Sequence, residues 1–487
     1  MNKKLFSLVS LFVTLSLLLT ACAPSPAATT SPGGAPTDAP KPTDAPKPTD
    51  APKPTDAPKP TDAPAAGGAV QIRWYIGLGA GGNPEEIAKE EEFVKKFNEK
   101  YAGKYELVMD VVQNATAYDV LKTQIASGDV PDIVGPVGVR GLWSLEGAWL
   151  DLAPYIAKNN YDLSDFNPAL VDFYNLGPQG QIGLPFAVYP SALWYNKDLF
   201  DEAGLDYPPH KYGEKYADGS EWNFDKLKEL AIQLTVDENG KIPTDDGFNP
   251  DKIVQFGYDA MWTDIRGRWT FFGAGSFVGA DGKAAMPDIW RTAAQWYYDG
   301  MWTDHFIPND SYVNSDFLAQ GNTFSSGHVA MAPIHTWYTC CAGEVAWDVA
   351  AIPSYNGKVT AKMHADTFSI LKGSKNPDAA FEVLTLMLGE FAPDLLAVYG
   401  GLPARASLQD SAIQAMQDKF PNADLQVFLD GLNYPDNPNH ESGMPNFQKA
   451  SDRYSTFGGL YQSTADLDLA AEIDTLIADL QVVFDTK

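Results

Sequence analysis

The sequence predicts an α/β protein whose first strands form a parallel sheet covered by helices. Apolar β-prone stretches alternate with segments of helical periodicity after residue 70, and each helix carries a start or stop signal. The chain beyond that point is also long enough for a large core or two lobes. Val70 to Ile76 reads as the first strand. A glycine-rich loop, Gly77 to Asn83, follows it. Pro84 stands at a helix start, and Ile87, Phe93, Val94 and Phe97 make one apolar stripe. Tyr105 to Val112 reads as the second strand, and Tyr118 to Ser127 as a helix stopped by Gly128. Asp132-Ile133-Val134 is a third, short strand.

Ahead of this unit come a leader and a tether. Lys3 and Lys4 head an apolar run from Leu5 to Leu19, too short for a stable membrane span and suited to a secretory signal over residues 1–21. Leu19-Thr20-Ala21-Cys22 resembles a bacterial lipobox, which implies that Cys22 is acylated and becomes the mature N-terminus. More than one acyl chain gives stable membrane attachment. From Pro36 the chain repeats Pro-Thr-Asp-Ala-Pro-Lys and closes at Pro64. With no large apolar side chain this stretch buries no core, and its prolines favour an extended backbone. At ~3.1 Å per residue, roughly 29 such residues reach up to ~90 Å from the lipid.

Composition excludes some functions. A net charge of −28 argues against nucleic-acid binding, which needs a basic footprint. Cysteine is sparse, with Cys340 and Cys341 adjacent; they either close a ring disulfide or serve as two small apolar residues. Gly77, Gly79 and Gly82 satisfy GxGxxG, yet no acidic residue closes a following strand at the expected distance, so a loop that admits a ligand to backbone amides is the better reading. Asp237 to Lys241 has the wrong spacing for a calcium loop and reads as a turn. The six histidines show no paired metal-ligand spacing, and no GxSxG nucleophile motif appears. No cofactor or metal is expected.

The globular part resembles the bacterial extracellular solute-binding proteins of ABC importers, in the carbohydrate-binding group that includes maltodextrin-binding proteins. The resemblance rests on the order of several segments: Gly128 to Val134, Leu184 to Tyr189 running into Leu193 to Phe200, Phe324 to Met331 with Trp337 beyond it, Ser374 to Phe381, Gly401 to Arg405, and Met444 to Phe447. It implies a two-lobed type II binding-protein fold, with a hinge of crossing segments and a ligand cleft. Residues 22–68 are then the tether, 69–187 with 352–401 the first lobe, and 188–351 with 402–487 the second. Closure of such lobes traps a ligand in a shape that a permease recognises.

A sugar offers apolar C–H faces and a rim of hydroxyls, which flat aromatics and fixed polar groups complement. The resemblance places Trp337 as the stacking tryptophan, Tyr454 as a second aromatic and Tyr189 as a contact beside the first crossing. Trp269 and Phe272 stand in an aromatic loop that either reaches the ligand or packs beneath it. His364 and Asp366 precede Lys372-Gly373-Ser374, where Asp366 can accept two sugar hydroxyls or act as a cap. In the first lobe only Arg140 matches the maltodextrin pattern, because Leu78 and Gly79 replace a charged pair, so maltose is not implied while a sugar is. The expectation is a non-enzymatic, monomeric, lipid-anchored capture protein outside the cytoplasm that serves ABC permease subunits. A surface glycoside-processing enzyme, or a binder of another polar solute such as a polyol phosphate or peptide, is the alternative.

Overall fold

The structure is a computed structural model and describes residues 68–399 and 401–486, apart from the side chain of Cys340. The leader, Cys22 and the proline-rich repeat lie outside the described residues. Among the described residues no helix is long and apolar enough to cross a membrane.

The expected strand–helix alternation opens the fold. In β1 (Val70–Ile76), Ile72, Trp74 and Ile76 enter one core and Tyr75 the other, as the two-residue period of a strand requires. Helix α1 (Pro84–Lys100) starts on a capping box: the Asn83 side chain accepts from the Glu86 N–H, and Glu86 reaches back to Asn83. β2 (Tyr105–Val111) lies parallel to β1. Helix α2 (Asn114–Ser127) begins earlier than the sequence suggests, because Asn114 to Ala117 form its first turn, with the Asn114 amide donating to the Gly77 carbonyl at 2.9 Å. Gly128 ends it in the left-handed conformation with φ 80°. β3 (Ile133–Gly138) also runs parallel to β1.

Beyond β3 the sheet departs from the parallel expectation. β4 (Gly183–Asn196) is a 14-residue strand buried along its whole length. The short strands β5 (Val236–Asp237) and β6 (Ile253–Gln255) pair separately. β7 (Met331–His335), β8 (Trp347–Ala350), β9 (Met363–Ile370) and β10 (Leu402–Pro403) complete the set. The order is β10-β4-β9-β3-β1-β2, with β7 and β8 joined through β4. β9 is antiparallel to both β3 and β4. Residues from Gly183 to Pro190 pair with β9, whereas Ser191 to Asn196 pair with β7 and β8. One continuous strand thus changes partners midway.

Several motif segments hold this scaffold together. The Asp132 carboxylate accepts from the Arg73 N–H at 3.0 Å and from the Ser374 hydroxyl at 2.5 Å, which ties β3 to the turn before the helix Pro377–Met387. Gly401 packs against β4, where a Cβ would stand 2.8 Å from the Ala187 Cβ. Arg405 donates to Tyr161 at 2.6 Å and to the Leu388 carbonyl at 2.7 Å. The Asp237 carboxylate accepts from the backbone of Asn239, Lys241 and Asn249 at 2.8–3.0 Å, so this segment is a turn closed by its own acid. Cys341 is disulfide-bonded; whether it closes a ring with Cys340 turns on a side chain outside the described set.

Candidate functional site

A cavity of about 1310 Å³ opens along one edge of this scaffold. The loop after β1 contributes Leu78, Gly79 and Ala80, and the start of α1 contributes Asn83 and Glu86. The glycines there allow close packing: a Cβ at Gly79 would meet the Pro136 carbonyl at 2.9 Å, and Gly77, at φ 130°, leaves no room against the Val112 carbonyl. The loop predicted to admit a ligand to backbone therefore does face the cavity.

Four of the expected contact residues line this space: Trp337, Tyr189, Asp366 and Arg140. Trp337 follows β7 in a single 3-10 turn, Thr336–Cys340, and is half-buried. Tyr189 and Asp366 come from neighbouring strands, β4 and β9, and the tyrosine hydroxyl stands 3.4 Å from Asp366 Oδ2. Asp366 sits in register between Gly138 on β3 and Ala187 on β4. Arg140 occupies the first turn of α3 (Val139–Ser144), directly after β3, and lies 3.8 Å from Asp264.

Two expected contacts stand elsewhere. Trp269, at the end of α4 (Ile265–Trp269), is 0 % exposed and packs among Phe277, Trp290, Phe457 and Tyr461. Tyr454, on α5 (Phe447–Ser463), is also 0 % exposed. Its ring lies 4.7 Å from the Arg266 guanidinium, and its hydroxyl accepts from Arg266 Nη2 at 3.0 Å. Its place is behind the cavity wall, where it fixes a buried cation beside Asp264. Phe272 is likewise buried, against Phe224 and Tyr355.

His364, which the sequence reading named, lines the cavity, and a ring stack through it brings in residues that the reading passed over. Trp262, 45 % exposed and at φ 50°, stacks on Trp337 at 5.6 Å and 13°. The sequence held no signal for this contact beyond a tryptophan before Thr263-Asp264, since its exposure and stacking are set by the fold. From Trp337 the stacking continues to His364 at 6.4 Å and then to His440 at 5.4 Å, with His335 lying 3.9 Å from His364. Glu441, Tyr118, Tyr399 and Thr339 also face the cavity.

The polar floor is charged and dehydrated. Burial, reinforced by Glu441, pushes the Asp366 carboxyl up to about 7, although Tyr189 opposes this through its hydrogen bond. Burial pushes Glu441 the same way, but His364, His440, Arg266 and Arg140 together hold it below the usual carboxylate range. Burial drives His364 down to about 3, against the pull of Glu441, so its imidazole is neutral at pH 7. Lys362, 1 % exposed, falls to about 8 through burial despite Asp264, Asp436 and Glu441. A half-exposed aromatic stack beside a carboxyl–phenol pair and a guanidinium can hold a molecule with apolar faces and a hydroxyl rim.

Fold and site together define a cleft-forming α/β binding protein of the two-lobed type II class. The chain belongs to the bacterial extracellular solute-binding proteins, whose family description matches residues 81–390. A curated relative from Rhizobium meliloti, an sn-glycerol-3-phosphate-binding periplasmic protein, is 30 % identical over 157 residues. That match covers 30 % of this chain and 35 % of the relative, so only about a third of the relative's length is spanned. A putative binding protein of Brucella abortus is 26 % identical over 69 % of this chain and 76 % of its own. Among solved structures, Mycobacterium tuberculosis UspC superposes with a TM-score of 0.65 at 20 % identity, covering 85 % of this chain and 100 % of UspC. The Listeria monocytogenes substrate-binding protein Lmo0181, in complex with cycloalternan, gives 0.64 at 20 % identity, over 86 % of this chain and 100 % of its own. These likenesses show the shared fold.

Proposed function

We propose that this protein is a lipid-anchored extracytoplasmic substrate-binding protein that captures a carbohydrate in the cavity and delivers it to an ABC permease, without chemical turnover. The observation that carries this reading is Trp337, half-buried on the cavity wall and extended by Trp262, with Tyr189, Asp366 and Arg140 around it. The cavity, at about 1310 Å³, exceeds the ~300–1,000 Å³ of common small-ligand pockets, which favours a ligand of more than one sugar ring. Structural neighbours described with cycloalternan or as a cyclic maltosyl-maltose binding protein support the same class. The change of partners along β4 after Pro190 supports a crossing close to the 187/188 limit proposed for the lobes, with further crossings at 351/352 and 401/402. Cys22 is the proposed lipid attachment, and a single chain is the proposed working unit.

A polyol phosphate is the second reading, favoured by the glycerol-phosphate relative and by Lys89, Lys122 and Arg140 on the cavity rim. A thermal-shift panel of mono- and oligosaccharides with sn-glycerol 3-phosphate decides between the two, because a ligand that binds only the folded state raises the melting temperature. An oligosaccharide is expected to give the largest rise. A rise with the phosphate alone selects the second reading, and conversion of the bound sugar to a new product moves the protein to the enzymes.

A further inference from the structure

We propose that the cavity floor carries a site for a divalent transition-metal cation of the zinc class, held by His364, His440 and Glu441. The fold, rather than any sequence spacing, assembles these groups: His364 comes from β9, and the other two from the loop before α5. One potential ligand atom from each lies within 4.8 Å of the others. Two imidazoles and a carboxylate suit zinc, cobalt or nickel rather than magnesium or calcium. Metal–ligand bonds of about 2.0–2.2 Å require the three atoms to draw closer by roughly 1 Å. His364 and Glu441 are both half-buried and line the cavity.

Independent features prepare this cluster. His440 Nδ1–H donates to Asp436 Oδ2 at 2.7 Å. Asp436 is 0 % exposed and is itself fixed by the N–H groups of Met363 at 2.9 Å and His440 at 3.0 Å. A carboxylate behind a histidine sets its tautomer and leaves the Nε2 lone pair for a metal. His335, 2 % exposed and stacked on His364, donates Nδ1–H to the Tyr189 carbonyl at 2.6 Å, while its Nε2 has no hydrogen-bond partner. His335 is not one of the three grouped residues; its stacking fixes the His364 ring from behind rather than supplying a ligand atom. The carboxyl groups of Asp366 and Glu441 also converge on Gly138, where a Cβ would stand 3.4 Å from Asp366 Oδ1 and 3.8 Å from Glu441 Oε2. A dication relieves the repulsion that their convergence creates. Arg140, Arg266 and Lys362 oppose it from the same neighbourhood, and Asp264, Asp366 and Asp436 offset them.

This inference stands apart from the carbohydrate reading, and its test contains no sugar. The purified full chain, stripped with chelator, is titrated with Zn²⁺ by calorimetry and with Co²⁺ in the visible range. The expected result is saturable binding of a single ion per chain, with Co²⁺ ligand-field bands. His364→Gln and Glu441→Gln should each weaken Zn²⁺ binding at least about tenfold and abolish the bands. Metal-free melting temperatures report whether each variant is folded. Zinc-edge X-ray absorption on the parent gives a reading that needs no variant, with imidazole and oxygen donors expected in the coordination shell. Absence of saturable binding below about 1 mM, undiminished binding in both folded variants, or a zinc shell without imidazole overturns the proposal.

Discussion

Trp337 and Trp269 are the same residue type on the same protein, and the structure uses them in opposite ways. Trp269 is 0 % exposed and packs against the rings of Phe277, Trp290, Phe457 and Tyr461. Around Trp337 the rings are histidines and an exposed tryptophan, and a carboxyl, a phenol and a guanidinium share the same cavity wall. The difference teaches that aromatic content alone does not mark a sugar platform. A ring becomes one where polar groups surround it and burial stops short of completion.

The comparison is sharpest where a tryptophan is removed from the core. Trp269→Ala should cost about 3–5 kcal/mol of stability, because its neighbours cannot refill so large a space. Urea denaturation measures that loss, and the affinity of whatever fraction remains folded should be unchanged. A weakened affinity with intact stability would place Trp269 at the ligand after all. Tyr454→Phe tests the layer between core and wall. It removes the acceptor of Arg266 Nη2 in a buried setting and should cost about 1–3 kcal/mol of stability. A variant as stable as the parent would mean that this hydrogen bond contributes nothing.

A third test concerns Asp366 and pH. Its carboxyl is raised from 3.8 to about 7 in the folded chain, so between these values the folded state holds a proton that the unfolded state has lost. Stability from this group therefore falls as pH rises from about 4 to about 7 and stays low above it. Asp366→Asn, compared with the parent in chelator at pH 5 and pH 8, should gain relative stability at the higher pH. Identical pH profiles would show that Asp366 is ionised throughout.

Much of the fold was legible in the sequence. β1, α1 and β2 follow from strand alternation, the proline and the helical stripe, and Gly128 ends α2 where a stop residue was expected. The mixed sheet was not legible, because pairing of β9 with β3 and β4 joins residues far apart in sequence, and no local pattern encodes it. The site divides in the same way. Tyr189, Asp366, Trp337 and Arg140 belong to or follow segments that resemble known relatives, and they line the cavity. His440 and Glu441 carry no signal of their own; they matter because a loop brings them to His364. Tyr454 was placed by motif distance along α5, yet helical phase turns it inward toward Arg266.

The central claim is that a captured carbohydrate lies against the Trp337 wall. Calorimetric titration of the most stabilising oligosaccharide into the parent and into Trp337→Ala tests it most directly. Loss of this ring face should cost on the order of 1–3 kcal/mol, or roughly 5- to 150-fold in affinity, with the ligand-free melting temperature unchanged. Parent-like affinity in the folded Trp337→Ala protein would contradict the account.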